Sequence, residues 1–365
     1  MKITIENQRE NFDAIGTLKD YLNQKISYSP EILDMDPEAL RLVMKELGEL
    51  KLLALTASSP WSTKKVSPES FFNFQEELAR YSGALVFLQL QHQSAAKIIA
   101  QGDNQCLQKD YLCQMEEGKL LVGVAISQLR RNGEKTLNAV PVNGGYRISG
   151  QVPWITGFKI FQKFVAGAKM PDGRVVLGLV TFVNHEPDSH GGSFSISHPL
   201  KLVAMSSTNS VNASFDNWFL PNSSVITIKP KEWFQERDEK NLLNVSPVIL
   251  GCTKASLDII ESQAKNKNNS FIYDSLESLS QEFIQCRTSI LKAKHELDSS
   301  YQEHLNLRTW AIELMMKCTR AAMIASGGQG CQISHDAQRV CREALIYTVS
   351  GQTVAILESS LKRLS

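Results

Sequence analysis

No window of this chain reaches the length of an uninterrupted apolar membrane span, so no membrane partner is expected. An excess of one charge is missing too: 39 Lys and Arg against 38 Asp and Glu leave a net charge of +1. So balanced a chain offers no basic field for nucleic acid. Paired metal-ligand spacings are absent. The seven cysteines (106, 113, 252, 286, 318, 331 and 341) form no CxxC pair, and their number is odd. They read as reduced small hydrophobes of a cytoplasmic protein, not as a disulfide frame or a zinc site. The seven histidines include no HxxxH or HxH pair, so no metal site is expected. Met1–Glu6 lacks a basic start followed by an apolar stretch, and no signal peptide is expected. There are no repeats and no low-complexity segments.

What is present is 365 residues, 42% of them hydrophobic, enough for a large core spread over two or three domains. Residues 1–118 read as helical. Asp36-Pro37-Glu38 supplies a capping oxygen, a proline for the first turn and an acid near the positive end of the helix dipole. Leu40, Val43, Met44, Leu47 and Leu50 then recur at helical spacing. Ser67-Pro68-Glu69 repeats the start signal ahead of Phe71, Phe74, Leu78 and Tyr81. Ser82–Ala100 is apolar around its circumference and reads as a core helix; Cys106–Glu117 reads as a shorter one.

From about 119 the period shortens from 3.6 to 2. Leu121–Ile126, Thr136–Val142, Tyr146–Val152, Phe161–Ala168, Val175–Val183, Phe194–Ser197, Asn212–Trp218 and Ser224–Ile228 read as strands. Asn143-Gly144-Gly145 and Pro171-Asp172-Gly173 are hairpin turns. Helical periodicity returns after about 236, with Ala264–Ser270 expected as a polar loop between two helices. The expected domains are therefore 1–118 (helical), 119–235 (an antiparallel β-barrel or sandwich) and 236–365 (a four-helix-bundle-like unit).

Inside the β block lies Gly150-Gln-Val-Pro-Trp154-Ile-Thr156-Gly157. Trp154 offers a flat apolar face, and Thr156, two residues on, a hydroxyl on the same side of a strand. A stacking plane with a hydrogen bond at strand spacing suits a flavin ring.

That octet, set in a helical–β–helical order, resembles the acyl-CoA dehydrogenase superfamily along nearly the whole chain. Glu77-Leu78-Ala79-Arg80 is similar to the family's "EELAR" helix, and Gly102…Gly118 to its "G…qk..yLp…G" segment. Val124–Gln128 resembles "xALTE", Gly150…Trp154-Ile155-Thr156 resembles "GxKxWIT", and Phe215…Pro221 resembles "fddvxVP". Gly327-Gly328-Gln329-Gly330, followed by Arg339 and Arg342-Glu343-Ala344, resembles "GGxG…R…RDA". The resemblance implies an FAD-dependent oxidoreductase, a homodimer or homotetramer joined through its C-terminal helices, acting on CH–CH bonds of an acyl thioester or other small molecule. It also implies that Ser127 and Gln128 meet the pyrimidine side of the flavin and that Trp154 and Thr156 meet the ring. Gly327, Gly328 and Gln352 are the further cofactor contacts expected.

The departures bear on chemistry. Where the dehydrogenases usually carry a Glu before "GT", this chain has Thr348-Val349-Ser350-Gly351-Gln352, and a Ser hydroxyl is a far weaker base than a carboxylate. Glu236, Glu239 and Glu261 are candidates for a base carried on another helix. The "EPxxGSD" turn is replaced by Gln128–Gly133, whose Arg130 and Arg131 are candidates to hold a phosphate. In place of the "RxxFG" loop stand Lys265 and Lys267, candidate point charges for a pyrophosphate. Two alternatives stay open. One is a flavin monooxygenase or oxidase of the same fold, for which His92 is the candidate catalytic residue and His335 a second histidine to consider. The other is a flavin-free scaffold.

Overall fold

A computed structural model describes residues 10–57, 64–130, 136–186, 191–296 and 298–365. The first block holds the two-residue parallel pair β1 (Glu10–Asn11) and β2 (Lys64–Lys65) and six helices: α1 (Ala14–Gln24), α2 (Pro30–Met35), α3 (Pro37–Glu49), α4 (Pro68–Tyr81), α5 (Gly83–Ala100) and α6 (Gln105–Glu116). Their starts are set locally. Side chains of Ser29, Asp36, Ser67, Ser82 and Asn104 each accept a backbone N–H of the following first turn, a contribution of about 1 kcal/mol per cap. Leu40, Val43, Met44 and Leu47 of α3 face inward, as their spacing predicts. Helix α5 is buried nearly all round because neighbours cover it on several sides.

The middle block is one twisted sheet of β3 (Val122–Ala125), β4 (Asn138–Val142), β5 (Gly145–Ile155), β6 (Lys163–Lys169), β7 (Val175–Thr181), β8 (Ser193–Ile196), β9 (Val211–Pro221) and β10 (Val225–Lys229). The order is β10-β7-β6-β4-β5-β9-β8, with β3 added alongside β6. Most pairs are antiparallel; β4–β5 and β6–β7 are hairpins whose tight turns hold Gly144 and Gly173 at positive φ. The β3–β6 pair is parallel, which corrects the purely antiparallel expectation: the β4–β5 hairpin is interposed in the chain, so β6 returns in the direction of β3. With partners on both sides, β6 is buried over Phe164–Ala168, hence its run of apolar residues without alternation. The sheet closes over an aromatic cluster of Phe164, Phe182, Phe194, Phe215 and Trp218.

The last block is α7 (Trp233–Lys240), α8 (Ser246–Lys267), α9 (Ser270–His295), α10 (Tyr301–Ser326), α11 (Asp336–Val349) and α12 (Val354–Leu364). Segment Leu242–Lys267 is long and apolar enough to cross a membrane by composition, but 72% of its apolar window is buried inside the protein. It is a core helix: α8 packs on α4, α9, α10 and α11. At its contact with α4, a side chain on Gly251 would lie 2.3 Å from the Glu76 carbonyl, so only glycine allows this approach. The expected loop at Ala264–Ser270 shrinks to Asn268–Asn269. Lys265 and Lys267 extend the last turn of α8, where cations suit the dipole, and Asn268 ends it at φ +51°. Arg80–Asp258 and Arg287–Glu76 tie the two helical blocks together. The whole is the α+β architecture expected: helical, β, then helical bundle.

Candidate functional site

The octet lies on β5 and just beyond it. The pairing of β5 with β9 slips at two places, between Ile148 and Gly150 and between Val152 and Ile155. Gly150 sits in the first bulge at φ +126°, and a Cβ there would be 2.2 Å from the Thr136 carbonyl oxygen. The second slip breaks the two-residue alternation just where Trp154 stands. Trp154 remains half-exposed, whereas Thr156 is buried and its hydroxyl meets Ser210 Oγ at 3.1 Å. The strand alternation by itself expects both to face one open side, and the slip explains the difference. The Thr156 end is held from behind. Gly157 N–H donates to the Thr208 carbonyl (2.8 Å), Phe158 N–H to the Asn209 carbonyl (3.2 Å), and Thr208 Oγ1 lies 3.3 Å from Ser210 Oγ.

The turn Ser127–Arg130, which carries the second expected pair, packs against β5. Ser127 is exposed. Gln128 is buried and turned inward: its amide N–H groups donate to the carbonyls of Ala125 (2.9 Å) and Gly167 (2.8 Å). Its Oε1 has no partner among the described residues, a buried acceptor left over next to Ser127. Arg130 is engaged by the protein itself. It makes a bidentate pair with Asp238 of α7 (2.6 and 2.7 Å), its guanidinium 5.2 Å from the Phe234 ring centroid. Arg131 lies outside the described residues.

His92, the candidate for an acid–base role, sits as a pin between α6 and β3. It is fully buried, Val122 N–H donates to its Nδ1 (3.1 Å) and its Nε2 lies 3.0 Å from the Met115 carbonyl. Because Nδ1 accepts, the proton sits on Nε2 and both nitrogens are engaged. Burial pushes the imidazole down to about 4, so the ring is neutral at ordinary pH. His335 also has a structural partner: its Nδ1 accepts the Ala337 N–H and caps α11. The three candidate carboxylates are surface groups with local partners, Glu236 with Lys240, Glu239 with Gln235 and Glu261 with Lys265. Ser350 donates its hydroxyl to the Ile346 carbonyl (2.8 Å), and its own carbonyl accepts from Arg308 Nη2 (2.8 Å).

The dinucleotide-side residues divide into two places. Gly327 and Gly328 are exposed at the end of α10, with no atom within 4 Å of where a Gly328 side chain would begin. Lys267 joins them, its Nζ donating to the Ala325 carbonyl beside Gly327. Gln352 is at the other end of α11, and a 14-residue helix is about 21 Å long. Within one chain, Gln352 and the glycine turn therefore do not share a contact point.

The buried charges where the blocks meet were not read from the sequence as a unit. Asp34 of α2 bonds Arg342 of α11 (2.9 Å); Arg339 bonds Glu343 (2.9 Å), and Glu343 also accepts the Gly83 N–H (3.1 Å). Burial pushes the Glu343 carboxyl upward, opposed by Arg339. The four-residue spacing of Arg339 and Glu343 is visible in the sequence; Asp34 and Arg342 are 308 residues apart and left no signal.

No protein-family model matches the chain. Isovaleryl-CoA dehydrogenase, mitochondrial, of Oryza sativa subsp. japonica is 20% identical over 332 residues, covering 86% of this chain and 80% of that protein. The 2-methylacyl-CoA dehydrogenase, mitochondrial, of Solanum tuberosum is 20% identical over 331 residues, with 86% and 79% covered. Butyryl-CoA dehydrogenase from Megasphaera elsdenii superposes with a TM-score of 0.79 at 16% identity over 100% of both chains. Over full length, that likeness shows a shared fold.

Proposed function

We propose that this chain, a divergent member of the acyl-CoA dehydrogenase superfamily by fold, is an FAD-dependent oxidoreductase acting on CH–CH bonds of an acyl thioester or related small molecule, with a base other than the usual C-terminal Glu. The observation that carries the reading is the partly exposed Trp154 at the end of β5, with the turn that bears the exposed Ser127 and the buried Gln128 packed against the same strand. An apolar plane with a hydroxyl-bearing turn packed on the same strand fits a planar ring that carries N–H and C=O groups. The side-chain-free Gly327-Gly328 turn with Lys267 fits an anionic tail. Bound there, a flavin supplies hydride or single-electron transfer.

The chain's own residues do the rest. Trp154 would stack on the ring, Ser127 would orient an edge of it, and the buried Thr156–Ser210–Thr208 hydroxyls stiffen this end of the strand. The rice and potato relatives carry acyl-CoA dehydrogenase names, which supports the thioester class. A homodimer or homotetramer joined by C-terminal helices is supported by α12. Its Val354 (82% exposed), Leu357, Leu361 and Leu364 (81%) form one apolar stripe, and Leu345 and Val349 of α11 are exposed as well. Free cysteines throughout suit the cytoplasm as the compartment.

One observation favours the monooxygenase or oxidase alternative. No carboxylate stands in 348–353, and the Ser350 hydroxyl is donated to its own helix. The test is the visible absorption spectrum of the freshly purified chain, with the released flavin identified, followed by the rate at which the reduced form consumes oxygen. Bound FAD lost on Trp154→Ala supports the site, and rapid peroxide formation selects the oxidase branch. A colourless protein that FAD does not reconstitute overturns the reading in favour of the scaffold.

A further inference from the structure

We propose that Asp34 is a positioning residue for the Trp154–Thr156 corner: its carboxylate clamps the 205–210 loop to α11, and that loop in turn holds the end of β5. This deepens the flavin reading above and rests on it for its ligand.

The contacts run in an unbroken series. Asp34 is 3% exposed. Its Oδ1 accepts the Met205 N–H (2.5 Å), and its Oδ2 accepts from Arg342 Nη2 (2.9 Å). The backbone of α2 joins in, because the last carbonyls of a helix lack intrahelical partners. The Leu33 carbonyl takes the Ser207 hydroxyl (2.5 Å) and the Asp34 carbonyl the Ser206 hydroxyl (3.2 Å). From the loop, Thr208 and Asn209 carbonyls accept the Gly157 and Phe158 N–H groups, and Ser210 meets the Thr156 hydroxyl.

The loop needs such an anchor. Met205 (φ +55°) and Asn209 (φ +47°) both sit in the left-handed region, flanking a 3-10 turn at Ser206–Thr208. A methionine there is sterically disfavoured and persists only when its surroundings fix it. The fixing partner is a buried carboxylate whose second oxygen is neutralised by a guanidinium from another block. A backbone N–H bonded to a buried charge is among the stronger hydrogen bonds available to a protein. Asp34 lies outside the octet and its two carboxylate oxygens are engaged by Met205 and Arg342, so it acts through the loop.

The experiment uses the full chain with 5-fluorotryptophan incorporated, the Trp154 fluorine resonance being assigned by its disappearance in Trp154→Phe. Asp34→Asn is compared with the wild type in that spectrum and in FAD titration. Ser207→Ala, which removes one hydroxyl and leaves the ion pair, is the second variant should Asp34→Asn not fold. The expected result is a displaced or broadened Trp154 resonance with the other tryptophans unmoved, and FAD affinity lowered about tenfold in Asp34→Asn. Ser207→Ala shifts both readouts the same way by less. A wild-type Trp154 resonance and unchanged FAD affinity in folded variants overturn the proposal, whatever their melting temperatures. A wild-type chain that binds no FAD overturns the flavin reading, while the fluorine spectrum still decides whether Asp34 sets the Trp154 corner.

Discussion

Replacing His92 by glutamine tests whether this histidine is a neutral pin. In the folded chain burial holds its pKa at about 4, against about 6.5 when the chain is unfolded. Above pH 6.5 neither state binds the proton, and the contribution of the neutral ring is fully present. Below that the unfolded chain takes up a proton that the folded chain refuses, so stability falls as pH falls. Nδ1 is the nitrogen that would be protonated, and it holds the Val122 N–H, so protonation also breaks a buried backbone bond. The full difference is worth about 3 kcal/mol, of which about 2 kcal/mol is lost between pH 6.5 and pH 5. Urea denaturation of the wild type and His92→Gln at a series of pH values gives the difference in stability directly. That difference should be flat above about pH 7 and shrink by about 2 kcal/mol toward pH 5. A difference independent of pH, or one that grows as pH falls, would show that His92 is charged or solvated in the fold and would return it to the list of acid–base candidates.

Ser350→Ala removes a hydroxyl that only bonds its own helix, so it costs under about 1 kcal/mol and leaves turnover within a few-fold of wild type in a steady-state assay. A loss of several orders of magnitude would identify Ser350 as chemically active. Val354→Asp combined with Leu361→Asp places charge on the exposed stripe of α12. Light scattering should then report a smaller assembly with unchanged circular dichroism, and an unchanged mass would show that this face is not the subunit contact. Gly150→Ala forces a side chain into the Thr136 carbonyl at a positive φ. It should cost about 3 kcal/mol and lower the melting temperature, which calorimetry checks.

The helix starts were legible residue by residue because a cap is a local event: Asp36, Ser67 and Ser82 need only the N–H groups two or three positions ahead. The hairpins at Gly144 and Gly173 were legible for the same reason. The end of α8 was not legible because a polar run such as Ala264–Lys267 suits a loop and the last turn of a helix equally well, and packing on α9 and α10 decided between them. In the site, the residue types around Trp154 were readable but their access was not. Burial of Thr156 and of the Gln128 amide follows from a register slip in β5 and from the neighbouring strand β6, neither of which a short motif encodes.

The sequence by itself determined the helical–β–helical order, the capped helix starts and the hairpin turns, since these depend on periodicity and on groups a few residues apart. Tertiary structure decided which polar groups are free to act. It spent both nitrogens of His92 on backbone, gave Arg130 to Asp238, and joined Asp34 to Arg342 across 308 residues of chain. The physical reason is that a buried donor, acceptor or charge must find a partner. Which partner it finds depends on which segments folding brings together.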